Sequence, residues 1–101
     1  MEFIPVVTKA KERYFILLDT KEFKEVEGQK VVIGDVECFL HKDGKFFKMS
    51  EAKTGIALIA GSNLKRNVLE SVAKNINRNY EWMLETIKNS IAENGLSPKF
   101  Q

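Results

Sequence analysis

The chain has 101 residues, 44% hydrophobic and 30% charged, enough for one small core and too few for two domains. A formal net charge of +2 excludes a uniformly basic surface, and a single cysteine excludes an intrachain disulfide. No apolar run approaches the ~20 residues that cross a bilayer, and Met1-Glu2-Phe3-Ile4-Pro5 lacks the basic start of a secretory leader. A cytoplasmic protein without a membrane partner is the expectation.

The first sixty residues read as short strands separated by turns. Residues 6–8 suit an edge strand, because neighbouring Pro5 cannot donate to a ladder. A polar link over 9–12 leads to the most apolar run, 14–18 (YFILL), expected as a central strand. Residues 19–29 are polar, with a turn at Glu27-Gly28. Strands are expected at 31–33 and 36–41, joined by a tight turn or bulge at Gly34-Asp35.

Asp43-Gly44 carries the sharpest local signal, since a two-residue hairpin loop needs positive φ. Centring the loop there sets Leu40 opposite Phe47 and Cys38 opposite Met49. The period of two then sorts the hairpin into two faces. Val36, Cys38, Leu40, Phe47 and Met49 form an apolar face; Glu37, Phe39, His41, Phe46 and Lys48 form a mixed aromatic and polar one. A link over 50–54 and a last strand over 55–60 complete the sheet.

Residues 62–94 hold no proline or glycine. Their apolar positions (Leu64, Val68, Leu69, Val72, Ala73, Ile76, Tyr80, Met83, Leu84, Ile87 and Ile91) fall mostly within an arc of roughly 160°, the pattern of an amphipathic helix. Ser62 or Asn63 can cap its start and Gly95 its end. Unbroken, it would be about 48 Å long. Asn75, Asn77 and Asn79 are poor helix formers and mark where it would bend. The predicted fold is one α+β domain over 1–101. An antiparallel meander of about five short strands (1–61) precedes one long C-terminal amphipathic helix (62–94), bent if anywhere near Asn77, and a frayed tail (95–101). In layout alone, with no motif behind it, this order is similar to small Whirly-type domains, which bind single-stranded nucleic acid on a curved sheet and dimerise through the helix.

Catalytic, metal and cofactor chemistry finds little support. Cys38 and His41 lie an odd number of residues apart on one strand, hence on opposite faces, and one histidine with one cysteine cannot build a zinc site. A non-enzymatic binding domain is therefore expected. Single-stranded nucleic acid is the favoured partner, with Phe39, His41 and Phe46 stacking on bases. Lys42, Lys45, Lys48, Lys65 and Arg66 would contact phosphates. The plainer alternative is that these aromatics are covered by the N-terminal segment or another chain.

Trp82 stands at the margin of the helical stripe, where a tryptophan often marks an interface. With Met83, Leu84, Ile87 and Ile91 it forms a candidate protein interface. The alternative function is thus a protein-binding module, such as a small phage- or plasmid-encoded inhibitor or accessory factor. The length of the stripe adds an expectation of a homodimer, because a short sheet cannot cover all of it.

Overall fold

The computed structural model describes residues 2–59 and 61–101. Its α+β architecture is a four-stranded antiparallel sheet followed by two helices. The strands β1 (Val6–Leu17), β2 (Phe23–Ile33), β3 (Val36–Asp43) and β4 (Phe46–Glu51) lie in chain order across the sheet. The helices α1 (Lys65–Arg78) and α2 (Tyr80–Asn94) follow, and a 3₁₀ turn (Pro98–Phe100) closes the chain.

Several expectations are corrected. The polar stretches 9–12 and 23–29 are strand, because β1 and β2 pair as one long hairpin whose polar side chains face solvent. The run 14–18 therefore sits on the edge strand β1 and not at the sheet's centre. It is apolar for another reason: Tyr14 belongs to a second core on the far face of the sheet. Gly28 is a strand residue, not a turn. A Cβ there would stand 3.0 Å from the Phe39 ring and 3.3 Å from Tyr14. The bare position lets those two rings stack across it, with centroids 4.4 Å apart and planes 6° from parallel.

The sheet curls strongly. At the end of β4, Glu51 is only 2% exposed, and its carboxylate accepts from the Thr54 N–H (2.8 Å), the Thr54 hydroxyl (2.6 Å) and the Lys53 N–H (2.9 Å). These bonds satisfy a charge that would otherwise be costly to bury. They also fold the chain into a tight loop that carries Gly55 to β1, where the Leu17 N–H donates to the Gly55 carbonyl at 2.9 Å. Gly55 has φ +74 and lies so close that a Cβ would be 2.7 Å from the Leu17 nitrogen. Among the described residues, the predicted fifth strand, 55–60, makes a single isolated bridge on β4's outer edge, Ala57 to Ser50, and a second bridge, Ser62 to Phe47, lies past its end. Its last residue, Ala60, lies outside the described residues.

The β3–β4 register differs from expectation by two residues: Leu40 opposes Met49 and Lys42 opposes Phe47. The loop is Gly44-Lys45, with Gly44 at φ +62 in its first position, the requirement of a type II′ turn. A two-residue shift preserves both faces. Val31, Ile33, Val36, Cys38, Leu40 and Met49 accordingly pack beneath Val68, Val72 and Ile76 of α1.

The single long helix is also corrected. Asn79, at φ −129 and ψ 39, interrupts it, two residues beyond the expected bend. A 48 Å rod would overhang a body whose longest extent is 32 Å. The break instead returns Met83 to the main core, with Ile87 packed beside it. Asn77 stays helical and holds the N-terminal segment: its Oδ1 accepts from the Phe3 N–H (2.6 Å) and its Nδ2 donates to the Phe3 carbonyl (2.9 Å). The C-terminal tail is ordered, not frayed. Ser97 donates its N–H to the Lys53 carbonyl at 2.8 Å, and Phe100 packs on the Tyr14–Phe39 core. Among the described residues, no helix is long and apolar enough to cross a membrane.

The break makes a stability prediction. Met83→Ala should cost about 2–5 kcal/mol in urea unfolding, whereas exposed Leu84→Ala should change it by no more than about 0.5 kcal/mol. Equal effects would mean that α2 is not docked through Met83.

Candidate nucleic-acid interface

The tip of the β3–β4 hairpin is exposed, and the start of α1 lies beside Phe47. Three local causes place them together. The II′ turn reverses the chain at Gly44-Lys45. Ser62 then pairs with Phe47 through reciprocal backbone bonds of 2.7 and 3.0 Å, and α1 begins three residues later. The result brings Lys42 of the hairpin and Lys65 of the helix to one ring, while Lys45 in the turn and Arg66 next to Lys65 are exposed.

Phe47 is the centre of this end. It is half-buried on the helix-side face, and two ammonium groups from different elements stand over its ring, Lys42 at 5.4 Å and Lys65 at 5.8 Å from the centroid. Lys65 also donates to the Gln29 side-chain carbonyl at 3.2 Å. A groove of about 400 Å³ runs here, bordered by Gln29, Leu40, Lys42, Phe47 and Lys65. Lys11 lies on its rim but is 3.7 Å from Glu27, which offsets its charge. Phe46 is 52% exposed and Leu64 50%, so ring and aliphatic surface lie open among the cations.

The start of α1 is unusually positive. Leu64 precedes the helix in an extended conformation, no side chain caps the helix, and the first turn holds no acidic residue. The expected cap by Ser62 is replaced by a bond one residue early, its hydroxyl accepting from the Leu64 N–H at 3.2 Å. Unpaired N–H groups and the helix dipole attract anions, and Lys65 and Arg66 add to that field.

Other expected site residues are placed differently. Phe39 is fully buried between Tyr14 and His41, with no ring face left for a base. His41 is 7% exposed and its Nε2 lies 3.1 Å from the Ser50 hydroxyl. Phe39 is sealed because Tyr14, Ala52 after β4 and Phe100 of the tail pack on its face, whereas His41 is mostly covered but still borders the lysine groove. Lys48 is half-buried and ion-paired to Asp43 at 2.8 Å, so it offers little free charge. That partnership holds the Asp43 carboxyl below its ordinary value.

On α2, Trp82 is 65% exposed and Leu84 39%, and both remain available. Met83 is core, and Ile87 and Ile91 are half-buried, so the five-residue interface contracts to its rim. Beside Trp82 lies an apolar pocket of about 240 Å³, bordered by Leu58, Met83 and Ile87. Cys38 is fully buried on the opposite face from His41, and burial pushes its thiol pKa up, with Glu51 and Glu37 adding to the shift. Among the described residues, no three His, Cys, Asp or Glu side chains meet as a metal-ligating group.

Residue-by-residue reading of the sequence missed Gln29 and Ser50, and it placed Phe47 wholly in the core. The signal for Phe47 was its position at the hairpin's distal end, where a helix starting near Ser62 cannot fully cover it. No protein-family model, curated protein or solved structure matches the chain.

His41 supplies a test of the sealed face. Burial, then the charge of Lys48, lowers its pKa below 6.5, so the folded state takes up a proton less readily than the unfolded chain. Its contribution is therefore complete above pH 6.5 and is lost as the pH falls below that value. Urea unfolding between about pH 7.5 and 5.5 should show a decline that is smaller in His41→Gln, which does not titrate there. Parallel declines in the two proteins would show that His41 is not buried neutral.

Proposed function

We propose that the protein binds single-stranded nucleic acid at the hairpin end, with Phe46 and Phe47 as ring surfaces and Lys42, Lys45, Lys65 and Arg66 meeting phosphates. The observation that carries the reading is the pair of ammonium groups from β3 and α1 over one half-exposed ring beside an open groove. Stacking surfaces interleaved with unpaired cations suit a flexible strand, whose bases present flat faces while its phosphates pass nearby.

A second reading, a protein-binding module such as an inhibitor or accessory factor, is favoured by exposed Trp82 and Leu84 beside the α2 pocket. The same patch would serve a second copy of the chain. The break at Asn79 removes the argument that half of the stripe needs one, because Met83 and Ile87 already pack on their own core.

Fluorescence anisotropy with labelled oligonucleotides separates these readings. Four phosphate contacts should weaken single-strand binding about 50-fold between 50 and 200 mM salt. Lys45→Glu with Lys65→Glu should abolish it while leaving the circular dichroism spectrum unchanged. Absence of binding to DNA and RNA strands at about 50 mM salt, where phosphate contacts are strongest, would refute the nucleic-acid reading. A light-scattering mass of two chains that falls to one in Trp82→Ala would instead support self-association through α2.

A further inference from the structure

The sealed face of the hairpin is not solid. Between the end of β1, the start of β2 and the middle of β4 lies a second cavity of about 190 Å³, which adjoins the lysine groove and shares Val26, His41 and Lys42 with it. Ile16, Val26 and Ala57 form its apolar walls, and His41 and Ser50 form its polar one. His41 is more than nine-tenths buried, and only one of its ring nitrogens is bonded, to the Ser50 hydroxyl. Among the described residues, Nδ1 has no protein partner and is not enclosed, unlike the Ser97 hydroxyl, which is enclosed without a partner. A mostly covered imidazole with one free and reachable nitrogen, lining a cavity far larger than a water molecule needs, can meet a ligand atom.

Size and charge narrow the ligand. The volume lies below the ~300–1,000 Å³ of pockets for drug-sized molecules, so the occupant is a single small ring system. An anion is poorly served, because Lys48 at the cavity wall is already ion-paired to Asp43. At neutral pH the lowered pKa of His41 leaves the imidazole uncharged, so it can accept as well as donate. Apolar walls with one donor–acceptor edge match a flat, neutral heterocycle. Exposed Lys24 and Lys42 stand at the mouth, and exposed Phe46 lies opposite Asp43 at the same end of the hairpin.

We propose that this cavity receives one unstacked pyrimidine of a bound single strand, its edge bonded to His41 and Ser50 and its flanking phosphates on Lys24 and Lys42. The proposal rests on the single-strand reading and adds a site for one base to it. A base drawn from the stack into a snug pocket is read through its hydrogen-bonding edge and held between apolar side chains. The neighbouring base then lies over Phe46.

The test follows the His41 ring resonances of the isotopically labelled full chain by NMR during titration. Uridine monophosphate should shift them, whereas ribose 5-phosphate, which lacks the base, should not. Ala57→Leu, which fills the cavity, should weaken uridine monophosphate about tenfold or more. Equal shifts from ribose 5-phosphate would overturn the proposal, as would unmoved His41 resonances at saturating uridine monophosphate. Oligonucleotide anisotropy separates the two readings: strands that bind while His41 stays unmoved leave the hairpin interface standing and remove the pyrimidine site. Mononucleotide shifts without strand binding support the cavity as a nucleotide site and remove the strand. The wild-type comparison of the two phosphates decides the matter even if Ala57→Leu fails to fold.

Discussion

The stack of Tyr14 on Phe39 across Gly28 is the contact on which the rest of the molecule depends. Two rings with centroids 4.4 Å apart, on strands that flank a common neighbour, require that neighbour to carry no side chain on the same face. Such a pair adds about 0.5–1.5 kcal/mol beyond its buried area. Its larger effect is on shape. The rings draw β1 and β3 together over β2, and the sheet curls until the loop after β4 bonds to β1 through Gly55. Phe100 and Lys99 then close the remaining opening, with the Lys99 ammonium 3.9 Å from the centre of the Tyr14 ring. A short chain thus covers both faces of its sheet, using helices on one side and a loop and tail on the other.

That closure determines which surface is left for a partner. Aromatic residues in the middle of the hairpin become core, and those at its tip, Phe46 and Phe47, remain accessible beyond the helices. The cations divide in the same way. Lys48 is spent on Asp43 and Lys99 on Glu12, whereas Lys42 and Lys65 stand over an aromatic ring. The uncapped start of α1 adds a field of the same sign. The hairpin end is therefore the place where positive charge, open ring faces and unused backbone donors coincide.

The helical layer follows a complementary logic. Asn79 breaks the helix and Asn77 ties the Phe3 backbone, so two neighbouring asparagines do different work. Tyr80, just past the break, accepts the Asp35 N–H at 2.9 Å and packs on Phe3 with centroids 4.7 Å apart. The N-terminal segment, the β2–β3 turn and the helix break are joined at this corner. It brings Met83 onto the core and leaves Trp82 outside it.

Local chemistry in the sequence determined a good deal. The α+β order, a hairpin turning at Gly44, the separation of Leu40 and Met49 from Phe39 and Phe46, and an interruption among the asparagines all follow from periods of two and 3.6 and from turn preferences. The basic residues of the site were legible because charge at the ends of elements stays at the surface. What the sequence could not carry was long-range. Whether Phe39 faced water depended on Tyr14 from β1 and Phe100 from the tail, residues far apart in the chain that meet only after the sheet curls. The register placed the loop at Gly44-Lys45, one residue later than the Asp-Gly signal, with Gly44 taking the positive φ. Periodicity assigns a residue to a face; only tertiary structure decides whether anything covers that face, because the cover comes from distant chain whose position no local pattern encodes.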